Sequence, residues 1–339
     1  MSQGLIVRLP NWLGDTVMAV PALRSLRAAF PGDRLAVAGP WAPLLAGQGL
    51  ADVLVAYPRS WTGRLRTADR VRDLGAEVAV LLPNSLEAAL AARYWGARRR
   101  VGFASDGRSW LLTDRVPIPE PRPHQVDEYL ALVEALGIEA ISREPRLVPP
   151  TPEGPERVAA RALLASVGLD TEAGRPIVGI HLGAQFGPAK VWPPERVIEL
   201  CRALLDSGTA AVVLGPPQDS PLAERVRVAT DVPSLVGRDR PETLPALLAE
   251  LGTVVSGDTG VAHLAAALGT PVVTLFGPTD PARSAPRGTA VALRHPVPCA
   301  PCFYRTCPIE HQCMVGMTAG RVHDQVRGFL LSTATARSG

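Results

Sequence analysis

Short apolar runs of strand length alternate with longer helical stretches along almost the whole chain, and no other feature restricts the fold as much. LIVRL leads into a helical pattern, RLAVAGP precedes WAPLLAGQG, EVAVLLP precedes SLEAALAARYWGA, and RRVGFA follows. After about residue 150 the series restarts: PIVGIHLG, PERVIELCRALLDSG, AAVVLGP, LAERVRVA, PSLVG, ETLPALLAELG, TVVSGD, TGVAHLAAALG and PVVTLFGP. Strands that are apolar throughout must be covered on both faces, and helical crossovers return the chain so that successive strands run parallel. Between the two series lies ISREPRLVPPTPEGPE, with five prolines in sixteen residues, which reads as an exposed linker. The expected fold is therefore α/β, with Rossmann-like domains at residues 1–145 and 157–339 and a linker at 146–156. The two parallel sheets are expected to face each other across a cleft. A terminal helix is expected over TAGRVHDQVRGFLLST.

In open α/β sheets, ligands bind beyond the carboxyl ends of the strands, so chemistry is sought in the turns that follow strands. The first such turn is PNWLGD, between an expected strand at residues 4–9 and an expected helix at 16–30. It ends in a carboxylate, Asp15, and lacks the G-x-G-x-x-G dinucleotide fingerprint, so it is not built to cradle phosphate. Asp15 is either a helix cap or faces something other than phosphate.

In the second half, TVVSGDTGVAHLAAALG places Asp258, Thr259 and Gly260 where a strand ends and a helix opens. The first N–H groups of a helix lack intrahelical partners and carry partial positive charge, so phosphate or sugar hydroxyls can be held there. Asp258 would equally serve as a plain N-cap. His263 falls within the first turn or so of the same helix. IVGIHLGAQFGPAKVWP offers a glycine-loosened loop, with Gly183 and Gly187, carrying Lys190, a cation suited to a diphosphate. Asp219, after the Pro-Pro turn of AAVVLGPPQDS, could accept hydrogen bonds from ribose hydroxyls.

The first half is richer in arginine. Arg59, Arg64, Arg66 and Arg70 lie close together in sequence, as do Arg98, Arg99 and Arg100. Such clusters are either solvated surface or a site for an anionic acceptor such as a phosphorylated glycolipid. The net charge is only +3 over 339 residues, which argues against general nucleic-acid binding. No apolar stretch approaches the roughly 20 residues of a membrane span, and no secretory signal is visible, so a cytoplasmic protein is expected. Residence on a membrane surface needs no span and stays open. PCAPCFYRTCPIEHQCM holds Cys299, Cys302, Cys307 and Cys313, a dense cluster that could hold a structural zinc ion or consist of packed, reduced thiols.

Taken together, RLPNWLGDTVMAVPALRSL, GAQFGPAKVWP, SGDTGVAHLAAALGTPVVTLFGPTDP and the cysteine segment resemble the four motifs, in order, of the ADP-heptose:lipopolysaccharide heptosyltransferases of Gram-negative bacteria (glycosyltransferase family 9). The PNWLGD form is most like heptosyltransferase II. The resemblance implies a GT-B fold with an acceptor-binding first domain and a donor-binding second one. It implies inverting transfer of L-glycero-D-manno-heptose from ADP-heptose to the first heptose of the lipopolysaccharide inner core. The enzyme would work as a peripheral protein at the cytoplasmic face of the inner membrane, with no metal needed for catalysis. It matches Asp15 to the catalytic base, Lys190 to the phosphate-neutralising lysine, and Asp258, Thr259 and Gly260 to the turn that holds the donor, with His263 in the helix that follows. Asp219 takes the ribose-binding acidic position. Asn11, Trp12 and the arginines Arg59, Arg64, Arg66, Arg98, Arg99 and Arg100 are the acceptor-side candidates. The alternatives are a type I or III heptosyltransferase with another acceptor, a nucleotide-sugar epimerase, and a non-catalytic nucleotide-sugar binding protein.

Overall fold

The computed structural model describes residues 4–338 apart from Arg59 and Asp106, with side chains in the terminal helix described to residue 332. The chain divides into two compact units, Met1–Leu147 and Val148–Gly339.

The first unit runs β1 (Leu5–Arg8), α1 (Leu13–Met18), α2 (Val20–Ala29), β2 (Leu35–Gly39), β3 (Val53–Ala56), α3 (Trp61–Arg72), β4 (Val78–Leu81), α4 (Leu86–Tyr94), β5 (Arg99–Phe103), β6 (Asp114–Val116) and α5 (Gln125–Glu134). Its six strands form one parallel sheet in the order β3-β2-β1-β4-β5-β6. The strands are short, the central β1, β2 and β4 are buried throughout, and Ile6, Ala36, Ala79 and Leu81 pack with Ala89, Ala92 and Trp95. Small alanines at these positions let α4 lie close to the sheet. The single helix expected at 16–30 is in fact two, starting earlier and interrupted at Ala19. Pro21 explains the interruption, because it has no N–H for the i→i−4 ladder and its ring crowds the carbonyl of Val17. Asp15 therefore does not end a loop; it lies in the first turn of α1.

The second unit contains α6 (Pro155–Ala165), β7 (Ile177–His181), α7 (Pro194–Asp206), β8 (Ala210–Leu214), α8 (Ser220–Thr230), α9 (Leu244–Glu250), β9 (Thr253–Gly257), α10 (Gly260–Ala267), β10 (Val272–Phe276), α11 (Pro281–Ser284), β11 (Ala290–Arg294), α12 (Gln312–Val315) and α13 (Ala319–Ser338). Its parallel sheet has the order β11-β10-β9-β7-β8. α13 packs on α7 and on the β9–β10 side of the sheet, closing the core with Val322 and Val326. The expected PSLVG strand is reduced to one bridge, Val213 to Ser234.

Strand order locates the ligand side of each unit. β1 lies between β2 and β4, and β7 lies between β8 and β9. The chain reverses its direction of winding at β1/β4 in one sheet and at β7/β9 in the other, and crevices open at such points beyond the carboxyl ends of the strands.

Candidate functional site

In the first unit, the crevice beyond β1 and β4 is built from Arg8, Asn11, Asp15, Tyr57, Arg64 and Glu87. Arg8, the last residue of β1, is completely buried. One guanidinium nitrogen donates to Asn11 Oδ1 at 3.0 Å and another to the Leu9 carbonyl, while Nε has no hydrogen-bond partner among the described residues. The guanidinium carbon stands 4.7 Å from the centre of the Tyr57 ring. Glu87, in the first turn of α4, lies 3.9 Å from Arg8 and 3.0 Å from Arg64. Burial lowers the Arg8 pKa to about 10, with the Glu87 carboxylate pulling the other way. Two guanidinium groups thus share the Glu87 carboxylate. Sequence reasoning passes over Arg8, because an arginine ending LIVRL looks like any strand-edge residue.

Asn11 holds this loop together, accepting from Arg8 through its side chain and from the Trp41 indole through its carbonyl at 3.2 Å. Trp12 is the N-cap residue of α1 and is half exposed. The Asp15 carboxylate accepts a hydrogen bond from the Tyr129 hydroxyl of α5, the helix that packs on α1. Tyr129 is buried, and burial together with the Asp15 charge holds its pKa well above the usual value. Nothing in the sequence around Tyr129 marks it out, since it occupies an ordinary inward-facing helix position.

The arginine clusters divide. Arg64 joins the crevice, whereas Arg66 is exposed on α3 and Arg59 lies outside the described residues. Arg98, Arg99 and Arg100 are not brought to the site. β5 begins at Arg99, so these residues lie at the amino edge of a parallel sheet, the edge opposite Asp15. Five residues at ~3.3 Å each separate the two edges. There Arg99 pairs with Asp114 at 2.7 Å, and Arg100 donates to the carbonyls of Leu111 and Ala97, each at 2.6 Å.

In the second unit the turns after β7, β9 and β10 converge. Lys190 ends a single helical turn, Pro188–Lys190, and its ammonium lies 2.5 Å from Asp258 Oδ2 and 3.1 Å from the Asp258 carbonyl oxygen. Thr279, after β10, donates its hydroxyl to the same Oδ2 at 2.7 Å. His263 Nε2 stands 3.9 Å from Asp258 Oδ1. Asp258 is therefore no helix cap: Thr259 holds that position and makes no side-chain cap, its hydroxyl lying 2.8 Å from Ser256 Oγ. The leading turn of α10, from Gly260, is left without a side-chain acceptor, which is the arrangement a phosphate needs. His181, at the end of β7, shares a small pocket with Lys190 and Ser256. Its Nδ1 is buried without a partner among the described residues, and burial lowers its pKa to about 4, so the ring is neutral near pH 7.

A second focus lies beyond β8. Asp219 Oδ2 is buried and has no hydrogen-bond partner among the described residues. Two glycines make room for it: a Cβ on Gly183 would collide with that oxygen, and one on Gly215 would stand 2.8 Å from it. On the other side Asp239, which sequence reasoning passes over, accepts from the Gly215 N–H at 3.0 Å. Burial pushes Asp239 up to about 7 against the pull of the Gly215 and Gly237 N–H groups, and the Asp219 charge adds to the rise. Asp219 is itself raised by burial. Two carboxyl groups thus converge on Gly215, an acceptor-rich pair suited to ligand hydroxyls.

Of the two readings of Cys299, Cys302, Cys307 and Cys313, packed thiols or a zinc site, the structure brings the four together closely enough for the charges of the other three to help burial raise the Cys313 pKa. All four are free thiols, and among the described residues no three His, Cys, Asp or Glu side chains are placed to hold a metal ion. Cys313 is buried in α12 beneath Gly277, while Cys299 faces solvent. Among the described residues, no helix is long and apolar enough to cross a membrane.

Comparison with known proteins gives the family. Residues 64–312 match the family model described as glycosyltransferase family 9 (heptosyltransferase). The chain is 31% identical over 297 residues to lipopolysaccharide heptosyltransferase 2 of Escherichia coli (strain K12), covering 82% of this chain and 83% of that protein. It is 30% identical over 291 residues to lipooligosaccharide heptosyltransferase 2 of Haemophilus influenzae, covering 82% and 84%. Among solved structures, the E. coli ADP-heptose LPS heptosyltransferase II matches with a TM-score of 0.81 at 27% identity, over 98% of this chain and all (100%) of that one. A family 9 glycosyltransferase from Veillonella parvula shares the fold, with a TM-score of 0.83 at 18% identity over 97% of each chain.

Proposed function

The chain belongs to glycosyltransferase family 9, the heptosyltransferases, and from that premise we propose that it moves L-glycero-D-manno-heptose from ADP-heptose onto the first heptose of the lipopolysaccharide inner core. The observation that carries the donor side is the convergence of Lys190, Asp258 and Thr279 beside the uncapped start of α10. The likeness to type 2 lipopolysaccharide and lipooligosaccharide heptosyltransferases favours this acceptor over those of other members of the family.

On this reading the acceptor hydroxyl attacks the anomeric carbon from the face opposite the diphosphate, and configuration is inverted. Asp15 takes the hydroxyl proton as the new C–O bond forms and the anomeric carbon gains oxocarbenium character. The bond to the diphosphate breaks with its electron pair, and ADP leaves as an anion that needs charge stabilisation rather than a proton. Lys190 and the N–H groups at the start of α10 supply that stabilisation. Asp219 and Asp239 accept from the ribose hydroxyls. Arg8 and Arg64 attract anionic groups of the acceptor, whose lipid anchor puts the reaction at the cytoplasmic face of the inner membrane. No metal takes part.

The deciding experiment is ADP release from ADP-L-glycero-D-manno-heptose, with and without a heptosylated inner-core acceptor. Release that requires the acceptor is the expected result. Acceptor-independent turnover of the sugar would favour an epimerase, and donor binding without any turnover would favour a binding protein.

A further inference from the structure

The stretch between β11 and α12, residues 295–311, has no regular structure, yet its main chain is fixed to the turn that carries Lys190. The Ala189 N–H donates to the Arg305 carbonyl at 3.0 Å, and His311 Nε2 lies 2.7 Å from the Ala189 carbonyl oxygen. Gly187 has φ +151°, and a Cβ there would collide with the Arg305 carbonyl oxygen, so only glycine allows the two strands of chain to touch. The same stretch is held from its other side, where the N–H groups of Cys302 and Phe303 both bond the Pro278 carbonyl, at 3.0 and 2.8 Å. Arg305 is thus anchored beside the lysine turn by backbone contacts on either side of it.

The side chains continue this arrangement. Lys190 Nζ stands 4.8 Å from the centre of the Phe186 ring, and the Arg305 guanidinium carbon stands 5.7 Å from the same centre. The two cations differ in how their charge is used. Lys190 is 2.5 Å from Asp258, so the pair together offers an incoming anion almost no net charge. Arg305 is exposed and makes no ion pair among the described residues. A nucleoside diphosphate is a polyanion, and a neutral ion pair is a poor match for it.

We propose that Arg305 binds the diphosphate of the nucleotide-sugar donor, supplying the uncompensated positive charge that the Lys190–Asp258 pair does not. Its planar fork of N–H donors can engage two phosphate oxygens in a fixed, coplanar geometry that an ammonium does not offer. The Phe186 ring gives the guanidinium a surface to rest on, which limits the rotamer freedom lost when the anion binds. This inference rests on the reading of the Lys190 turn as the diphosphate site.

Calorimetry of ADP and of adenosine, on wild type, Arg305→Gln, Arg305→Lys and Lys190→Ala, tests it. Arg305→Gln is expected to weaken ADP binding about 10-fold or more, from the usual strength of a charge-assisted hydrogen bond, and to leave adenosine binding unchanged. Arg305→Lys should recover part of the loss, since it keeps the charge but not the fork. Wild-type ADP affinity in Arg305→Gln, alongside weakened binding in Lys190→Ala, would overturn the role of Arg305 and spare the site. Unchanged ADP affinity in both would overturn the site itself. An equal loss for ADP and adenosine would also reject the proposal, because it would mark a structural effect rather than a charge contact.

Discussion

Lys190 and Asp258 form a close ion pair, 2.5 Å between Nζ and Oδ2, with only 11% and 6% of their side chains exposed. A pair this enclosed contributes little net stability intact but is costly to break, because the surviving charge stays out of water. Asp258→Ala is expected to cost about 3 kcal/mol, read by urea denaturation. Combining it with Lys190→Met should restore most of that loss. Additive losses in the double variant would show that the two charges do not compensate each other.

Asp15→Asn keeps the shape of the first turn of α1 and removes the base. Turnover is expected to fall about 100- to 10,000-fold, with ADP affinity retained. Near-normal turnover would remove Asp15 from the mechanism.

Tyr129→Phe keeps the buried ring and deletes the hydroxyl that donates to Asp15. That hydrogen bond favours the charged carboxylate, so its loss raises the Asp15 pKa. The acid limb of the kcat/KM profile is expected to move to higher pH. A lower rate with an unmoved profile would point to packing alone.

Asp239 makes folding stability depend on pH. Its folded pKa, about 7, lies above an unfolded value of about 3.9, so the folded state holds the proton more tightly. The stabilisation from its neutral form is complete below about pH 4 and is lost as pH rises through about 7. Asp239→Asn can still accept from Gly215 but cannot ionise. Relative to wild type it should gain stability between pH 5 and pH 8, on the order of 2 kcal/mol once solvent screening is allowed for. A stability difference that stays flat over that range in urea titrations would refute the assignment.

Ser85 caps α4, its hydroxyl accepting from the Ala88 N–H at 3.3 Å, and this orients the helix turn that carries Glu87. Ser85→Ala is expected to destabilise the protein by about 1 kcal/mol in thermal or chemical denaturation.

Much of this molecule is legible in its amino-acid sequence. Runs with apolar cores, such as VAVLL in the first half and TVV in the second, read as strands covered on both faces, which makes the sheets parallel and puts ligands at their carboxyl ends. Asp15, Lys190, Asp258 and Thr259 stand out because each lies in the connection that follows such a run. The arginine clusters are less informative, since sequence proximity records charge density but not which end of a strand a residue occupies. Arg98 to Arg100 lie at the start of β5 rather than after its end, and the parallel sheet carries them away from the crevice.

The sequence alone determined the layers, the parallel strands and the turns that bear chemistry, because hydrophobic period and helix-opening residues are local signals. Only the tertiary structure decided which side chains meet. Asp15 finds Tyr129, Lys190 finds Asp258, Asp219 and Asp239 close on Gly215, and Arg305 comes to rest beside Lys190. Each of these contacts joins turns or helices separated by other elements of the chain. Strand order and crossover direction bring them together, and neither is written in any single stretch of sequence.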